Sequence, residues 1–301
     1  IHADLSGSGG SAHHNLGAGA SAVEVGTPIH DQVTVTSHTV PPSNLTGKIT
    51  VKRFDNGTCA GTAAATAVYD PTPEGGEIAY VSGPTVELDN VLPFTPGVGV
   101  YSYLASYGGD DNKNMAQPGD CEGPVRVVDA QSDVSPLGAV NDVGEPHQID
   151  VTVQQDDGLP AGDPGDAANG FGPAPNGTCV VFTLPVNTAG ATFTGPDDGA
   201  SCGGTASNFD DCTTTGGTCF VTITTSTPGS VSIHATTTFL IAGESVTRET
   251  GSGGNNSADA KKQYVDAQID VSPLDAVNEV GEPHQIDVTV QQDDGLPAGA
   301  P

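Results

Sequence analysis

Residues 129–164 read DAQSDVSPLGAVNDVGEPHQIDVTVQQDDGLPAGDP, and residues 266–301 read DAQIDVSPLDAVNEVGEPHQIDVTVQQDDGLPAGAP. Only four of the 36 positions differ: Ser132/Ile269, Gly138/Asp275, Asp142/Glu279 and Asp163/Ala300. The copies lie 137 residues apart, a generous length for a β-sandwich module. A looser copy, AVEVGTPIHDQVTVT, stands at Ala22–Thr36. A fixed long period with a shared opening signature marks a tandem array. In each copy an apolar residue recurs at every second position, Ile149, Val151 and Val153 in the first and Ile286, Val288 and Val290 in the second. That period is the pattern of a strand buried on one face. The 36 residues of the second copy are too few to bury a core alone. The segment is therefore expected to lie against other protein, or to open a further module.

Composition agrees with an all-β chain. Among 301 residues there are 41 Gly and 23 Pro, but no Trp, one Met and only eight Lys and Arg together. Thr, Ser, Asp and Val abound while helix formers are scarce, which favours short strands joined by many turns. The formal charge of −29 argues against nucleic acid as a partner, because phosphates would be repelled. It disfavours anionic membrane surfaces for the same reason. No run approaches the length of a membrane-spanning helix. The chain opens on Ile1 rather than Met and shows no leader, as expected of a processed or excised segment.

The alternation predicts strands at QVTVT (32–36), KITVKRF (48–54), Glu77–Val81, Thr85–Leu92, Val98–Tyr107 and Val125–Val128 in a first module, 22–128. A second module, 129–265, has candidate strands around Ile149–Val153, Cys179–Leu184, Ala191–Thr194, Cys219–Thr225, Val231–Leu240 and Ser245–Thr250. Seven short strands at this spacing make an immunoglobulin-like sandwich. The segment 1–21, rich in Gly, Ser, Ala and His, reads as an arm that is flexible unless docked. Residues 266–301 read as the opening strands of a third repeat, truncated or donated to a neighbour. The expected fold is thus all-β: tandem immunoglobulin-like sandwich modules with a partial third repeat at the C-terminus.

The stretches VGEPH (143–147), VTVQQDDG (151–158), NGTCVVFTL (176–184) and SVTRETG (245–251) carry a family likeness. In them the chain resembles the bacterial immunoglobulin-like repeats of large secreted surface proteins, akin to the invasin and intimin type. The resemblance implies an extracellular or cell-surface repeat protein serving as stalk, adhesin or filament unit. Against that background the long loop Asp156–Ala174 reads as an insertion.

Six cysteines without a CxxC spacing, in an acidic strand-rich chain, read as three disulfides and an oxidising compartment. Cys59 and Cys121 are the only two in the first module and are paired. Cys179, Cys202, Cys212 and Cys219 allow three pairings. The short TTTGGT spacer favours Cys212–Cys219, with Cys179–Cys202. Paired carboxylates at turns are what a calcium ion needs. The candidates are Asp156 and Asp157, repeated as Asp293 and Asp294, although none has EF-hand spacing and solvated turn residues are the plainer account. No cofactor is required by the pattern. Asn44, Asn56, Asn176 and Asn255 begin N-x-S/T sequons in predicted turns. His30, His147 and His284 each follow a Pro turn at a strand start. His13 and His14, with His2 and Asp4, are a transition-metal candidate if the arm folds back.

No GxSxG, HExxH or P-loop occurs, and no GxGxxG leads into a helix, so nothing points to an enzyme. The expected function is structural: a cell-surface stalk or filament built through head-to-tail module or strand contacts, with copies of the chain as partners. The alternative is an adhesin that binds a carbohydrate or host protein through module loops.

Overall fold

In the computed structural model, residues 2–4, 13–15, 21–112, 114–161, 170–195 and 209–296 are described. All their regular elements are β-strands. The chain divides into two compact units. The first comprises Ile1–Ala130 with Gln155–Gly172 and Leu240–Val246, the second Gln131–Gln154, Pro173–Phe239 and Thr247–Pro301.

In the first unit, Ile29–Thr36 pairs antiparallel with Thr85–Phe94 in one sheet. In the facing sheet, Ile49–Phe54 lies between Ala65–Asp70 and Gly99–Tyr107. Gly99–Tyr107 pairs in turn with Gln117–Ser135. Ser21–Glu24 runs parallel to Val125–Val128 and closes that sheet. The inward members of each alternating strand, among them Val33, Ile49, Val51, Val86, Leu88, Tyr103, Val125 and Val127, form one core.

The second unit repeats the scheme. Thr218–Thr224 pairs with His147–Asp156 on one side and Thr192–Gly195 on the other. In the opposite sheet, Gly229–Ile241 lies between Cys179–Asn187 and Ala260–Ser272. Phe209–Thr213 extends that sheet beyond Cys179–Asn187, and Gly138–Asp142 runs parallel to Ala260–Ser272. First and last strands parallel, with second-to-fifth and third-to-sixth strands paired antiparallel across two sheets, is immunoglobulin-like topology. Phe182, Ile149, Val151, Val221, Ile233 and Tyr264 fill the core with no exposed surface.

The structure adds strands at Ala65–Asp70, Gly138–Asp142 and Phe209–Thr213, and shortens Glu77–Val81 to Ile78–Ala79. The first has too little apolar bulk in AAATA to stand out; the other two carry few apolar residues and form at sheet edges, where pairing rather than burial defines them. The arm, expected to be flexible unless docked, is paired over its described residues. His2–Asp4 pairs with His13–Asn15, and His2 and Ala3 pair with His30 and Ile29. A free sheet edge at Ile29–Thr36 supplies the backbone partners that the arm's own sequence does not announce.

Ser132 is buried completely, and its Oγ has no hydrogen-bond partner. The duplicate carries Ile269 at this position. An unsatisfied buried hydroxyl costs desolvation with no return. Ser132→Ala is therefore expected to stabilise the second unit by about 1 kcal/mol. The check is a rightward shift of the urea midpoint at unchanged slope; a leftward shift refutes it.

Candidate interaction surface

The closing segment forms a two-stranded hairpin. The outer half of Ala260–Ser272 pairs with Asp287–Asp293, placing Ile269 opposite Val290 and Val271 opposite Val288. Its local contacts copy those of the first repeat. Gln131 donates to Gln154 and Gln268 to Gln291; Gln148 donates to Asp150 at 2.6 Å and Gln285 to Asp287 at 2.6 Å.

The cover differs. Ile149, Val151 and Val153 have no exposed surface, whereas Ile286, Val288 and Val290 are 60%, 56% and 70% exposed. Leu274, Val277 and Val280 are exposed as well. The cause is stoichiometric. Val221 and Cys219, opposite Ile149 and Val151, belong to a strand already engaged by the first copy. Among the described residues no further strand of the chain covers this face. What stands exposed is an alternating apolar face with a sheet ready for a partner.

The acidic turns have a structural task. Asp156 Oδ1 accepts from Gly158 N at 3.1 Å and Asp157 Oδ1 from Leu159 N at 3.0 Å. Asp293 and Asp294 make the same contacts with Gly295 N and Leu296 N, at 2.9 and 3.0 Å. In the first unit Arg126 clamps this turn, donating Nη2 to Asp157 O at 2.7 Å and pairing with Asp157 Oδ2 at 3.1 Å. In the second unit Gln263, 137 residues further on, donates to Asp294 O. Gly158, at φ +74°, packs so tightly that a Cβ would lie 2.4 Å from Val127 O; Gly295, at φ +70°, would place one 2.5 Å from Tyr264 O. Each DDG turn is therefore bound, inside its own unit, to the strand that holds Arg126 or Gln263. This accounts for part of the loop Asp156–Ala174, of which residues 162–169 lie outside the described ones. No cluster of three or more His, Cys, Asp or Glu suited to a metal ion occurs among the described residues. A cleft of about 690 Å³ in the first unit is lined by Asn56, Val98, Pro124, Arg126, Asp156 and Leu159, among others.

Cys59 and Cys121 are bridged, with an S–S distance of 2.08 Å, and so are Cys212 and Cys219, at 2.05 Å. Cys179 is disulfide-bonded too; Cys202, its expected partner, lies outside the described residues. Among the sequons, Asn44, Asn176 and Asn255 are exposed and Asn56 is half-buried. The Asn56 side chain is engaged, accepting from Thr58 N at 3.0 Å and donating to Ala60 O at 3.0 Å. His30 is buried, His147 half-buried and His284 exposed. The side chains of His2, Asp4, His13 and His14 lie outside the described residues. Sequence reasoning passed over Lys262, buried on the last strand of the second unit. Its only signal is a lysine in register with inward-facing Ala260 and Tyr264.

No family model matches the chain, and no relative is found among curated proteins. Among solved structures it is similar to fibronectin(III)-like modules of Clostridium thermocellum CbhA, at 13% identity and a TM-score of 0.23 over 82% of this chain and 90% of that one. It is also similar to BspA_C_mut, at 8% identity and a TM-score of 0.35 over 81% and 93%. The N-terminal four Ig domains of Dscam1 isoform 8.4 match at 11% identity and a TM-score of 0.24 over 88% and 46%. The immunoglobulin-like assignment rests on the strand order itself.

Proposed function

We propose that the chain is an extracellular structural repeat protein that builds a cell-surface stalk or filament, with the hairpin 266–296 as the face offered to the next unit. One observation carries this reading. The same apolar triplet occurs in both copies of the repeated segment, covered as Ile149, Val151 and Val153 in the first and exposed as Ile286, Val288 and Val290 in the second. The first copy supplies the template for the cover, a set of strands like those at 179–264. A further immunoglobulin-like unit added head to tail provides it, and such contacts generate open linear assemblies. The recurrence of the same clamped DDG turn 137 residues further on suits serial construction. The two bridged cysteine pairs and the charge of −29 fit an oxidising, aqueous exterior. The invasin-like and intimin-like repeats that the sequence resembles have this setting.

The test is association of the whole chain measured by sedimentation velocity over a range of concentrations. Self-association is expected, and Val288→Asp with Val290→Asp is expected to reduce it at least tenfold. Both residues are exposed, so the unit's own core is untouched. Association of equal strength in the double variant, or a wild-type monomer throughout, rejects the hairpin as the interface.

A further inference from the structure

The two units differ at one buried place on the same pair of strands. In the first, Val125 pairs with Ser21 and Val127 with Val23. In the second, Lys262 pairs with Ala139 and Tyr264 with Asn141, in the same register. Position for position, Lys262 stands where the first unit has Val125, and Asn141 where it has Val23. Val125 and Val23 are buried, 1% and 3% exposed, as this packing requires, yet Lys262 is only 2% exposed. Its Nζ donates to Asn141 Oδ1 and lies 5.0 Å from the Tyr264 ring centroid. No carboxylate forms an ion pair with it among the described contacts. Burying an ammonium without an ion pair is costly, and two valines fill the equivalent place in the neighbouring unit. A lysine and an asparagine held together in such a site call for a use of the amine.

We propose that Lys262 and Asn141 join in an intramolecular amide bond that ties the first strand of the second unit to its last. The uncharged Nζ attacks Cγ of Asn141, and the carboxamide C–N bond breaks. One proton of the amine passes to the departing nitrogen, which leaves as ammonia. Nothing is oxidised or reduced, and no co-reactant enters. Burial holds the Lys262 amine down at about 8, so the uncharged, nucleophilic form is reached far more readily than for an ordinary lysine. Glu145 and His147 are the titratable groups whose charges act on or respond to Lys262. Burial, and then Lys262 itself, keep the half-buried His147 imidazole below its usual value. The bond spans 121 residues of sequence and would carry tension past the sandwich, between strands that run parallel. Asn278, Glu282 and His284 repeat Asn141, Glu145 and His147 in the second copy. The proposal stands whether or not the hairpin drives assembly.

Intact mass spectrometry of the reduced, denatured full chain tests it. The expected mass is short of the sequence by one ammonia. Digestion should release a branched peptide joining the Asn141 and Lys262 strands, while the exposed neighbour Lys261 stays free. Asn141→Val with Lys262→Val, which installs the valine pair of the first unit, should fold and show the full mass. A full-mass wild type with Lys262 recovered in a linear peptide overturns the proposal. So does an ammonia loss that maps to a succinimide at Asn56-Gly57 or Asn176-Gly177.

Discussion

Replacing Cys59 and Cys121 together by Ser is expected to destabilise the first unit by about 4 kcal/mol. The bridge joins residues 62 apart, and a loop of that size loses substantial denatured-state entropy when closed. The cysteines are not core residues: Cys59 is half-buried and Cys121 exposed, so little packing is lost with them. Cys212–Cys219 closes a separation of only seven residues, and its removal is expected to cost about 2 kcal/mol by the same reasoning. The measurement is urea unfolding of the whole chain followed by tyrosine fluorescence. Five of the six tyrosines, at 69, 80, 101, 103 and 107, lie in the first unit, and there is no Trp to mask them. Equal losses from the two bridges would show that loop length does not govern their contribution.

Asp110→Ala is expected to cost the first unit about 3 kcal/mol, since it strips a charged acceptor from several donors at once. The carboxylate accepts from Tyr107 Oη at 2.5 Å and Thr46 N at 2.9 Å. It also accepts from Asn112 N at 2.9 Å and from Asn114, through N at 3.1 Å and Nδ2 at 2.9 Å. These bonds lock the loop after Gly99–Tyr107 against residues 43–47, where Gly47 approaches the Gly109 carbonyl too closely for any side chain. Burial alone would raise this carboxyl. The bonds from Tyr107, Thr46 and Asn114 outweigh it and hold the group far below the usual carboxylate range. A depressed native pKa contributes stability that is complete above the unfolded value of about 3.9 and is lost as pH falls toward the native one. The wild type should therefore lose stability below about pH 4 more steeply than the variant. Parallel stability curves for the two proteins between pH 2 and 5 would remove Asp110 from the account.

The acceptor role of Asp110 was not visible in GGDDNKN, which reads as a polar loop like any other. Asp110-Asp111 and Asp156-Asp157 look alike in sequence. One organises a buried tyrosine and the other a turn clamped by Arg126, because Thr46 and Arg126, the donors that tell them apart, come from distant segments. The cysteines were easier. A module with only two cysteines leaves no choice, and the short spacer between Cys212 and Cys219 permits a local bridge.

The amino-acid sequence by itself determined the all-β class, the period of the array and the inward face of most strands. Side-chain alternation is local, and the duplicated segment is plain to read. Only the tertiary structure decided which copy of that segment is covered, which unit holds the DDG turn, and that Lys262 meets Asn141. Each of these depends on which strands pair and which partners are already occupied. Pairing across more than a hundred residues is settled by the assembled sheets and not by any short stretch.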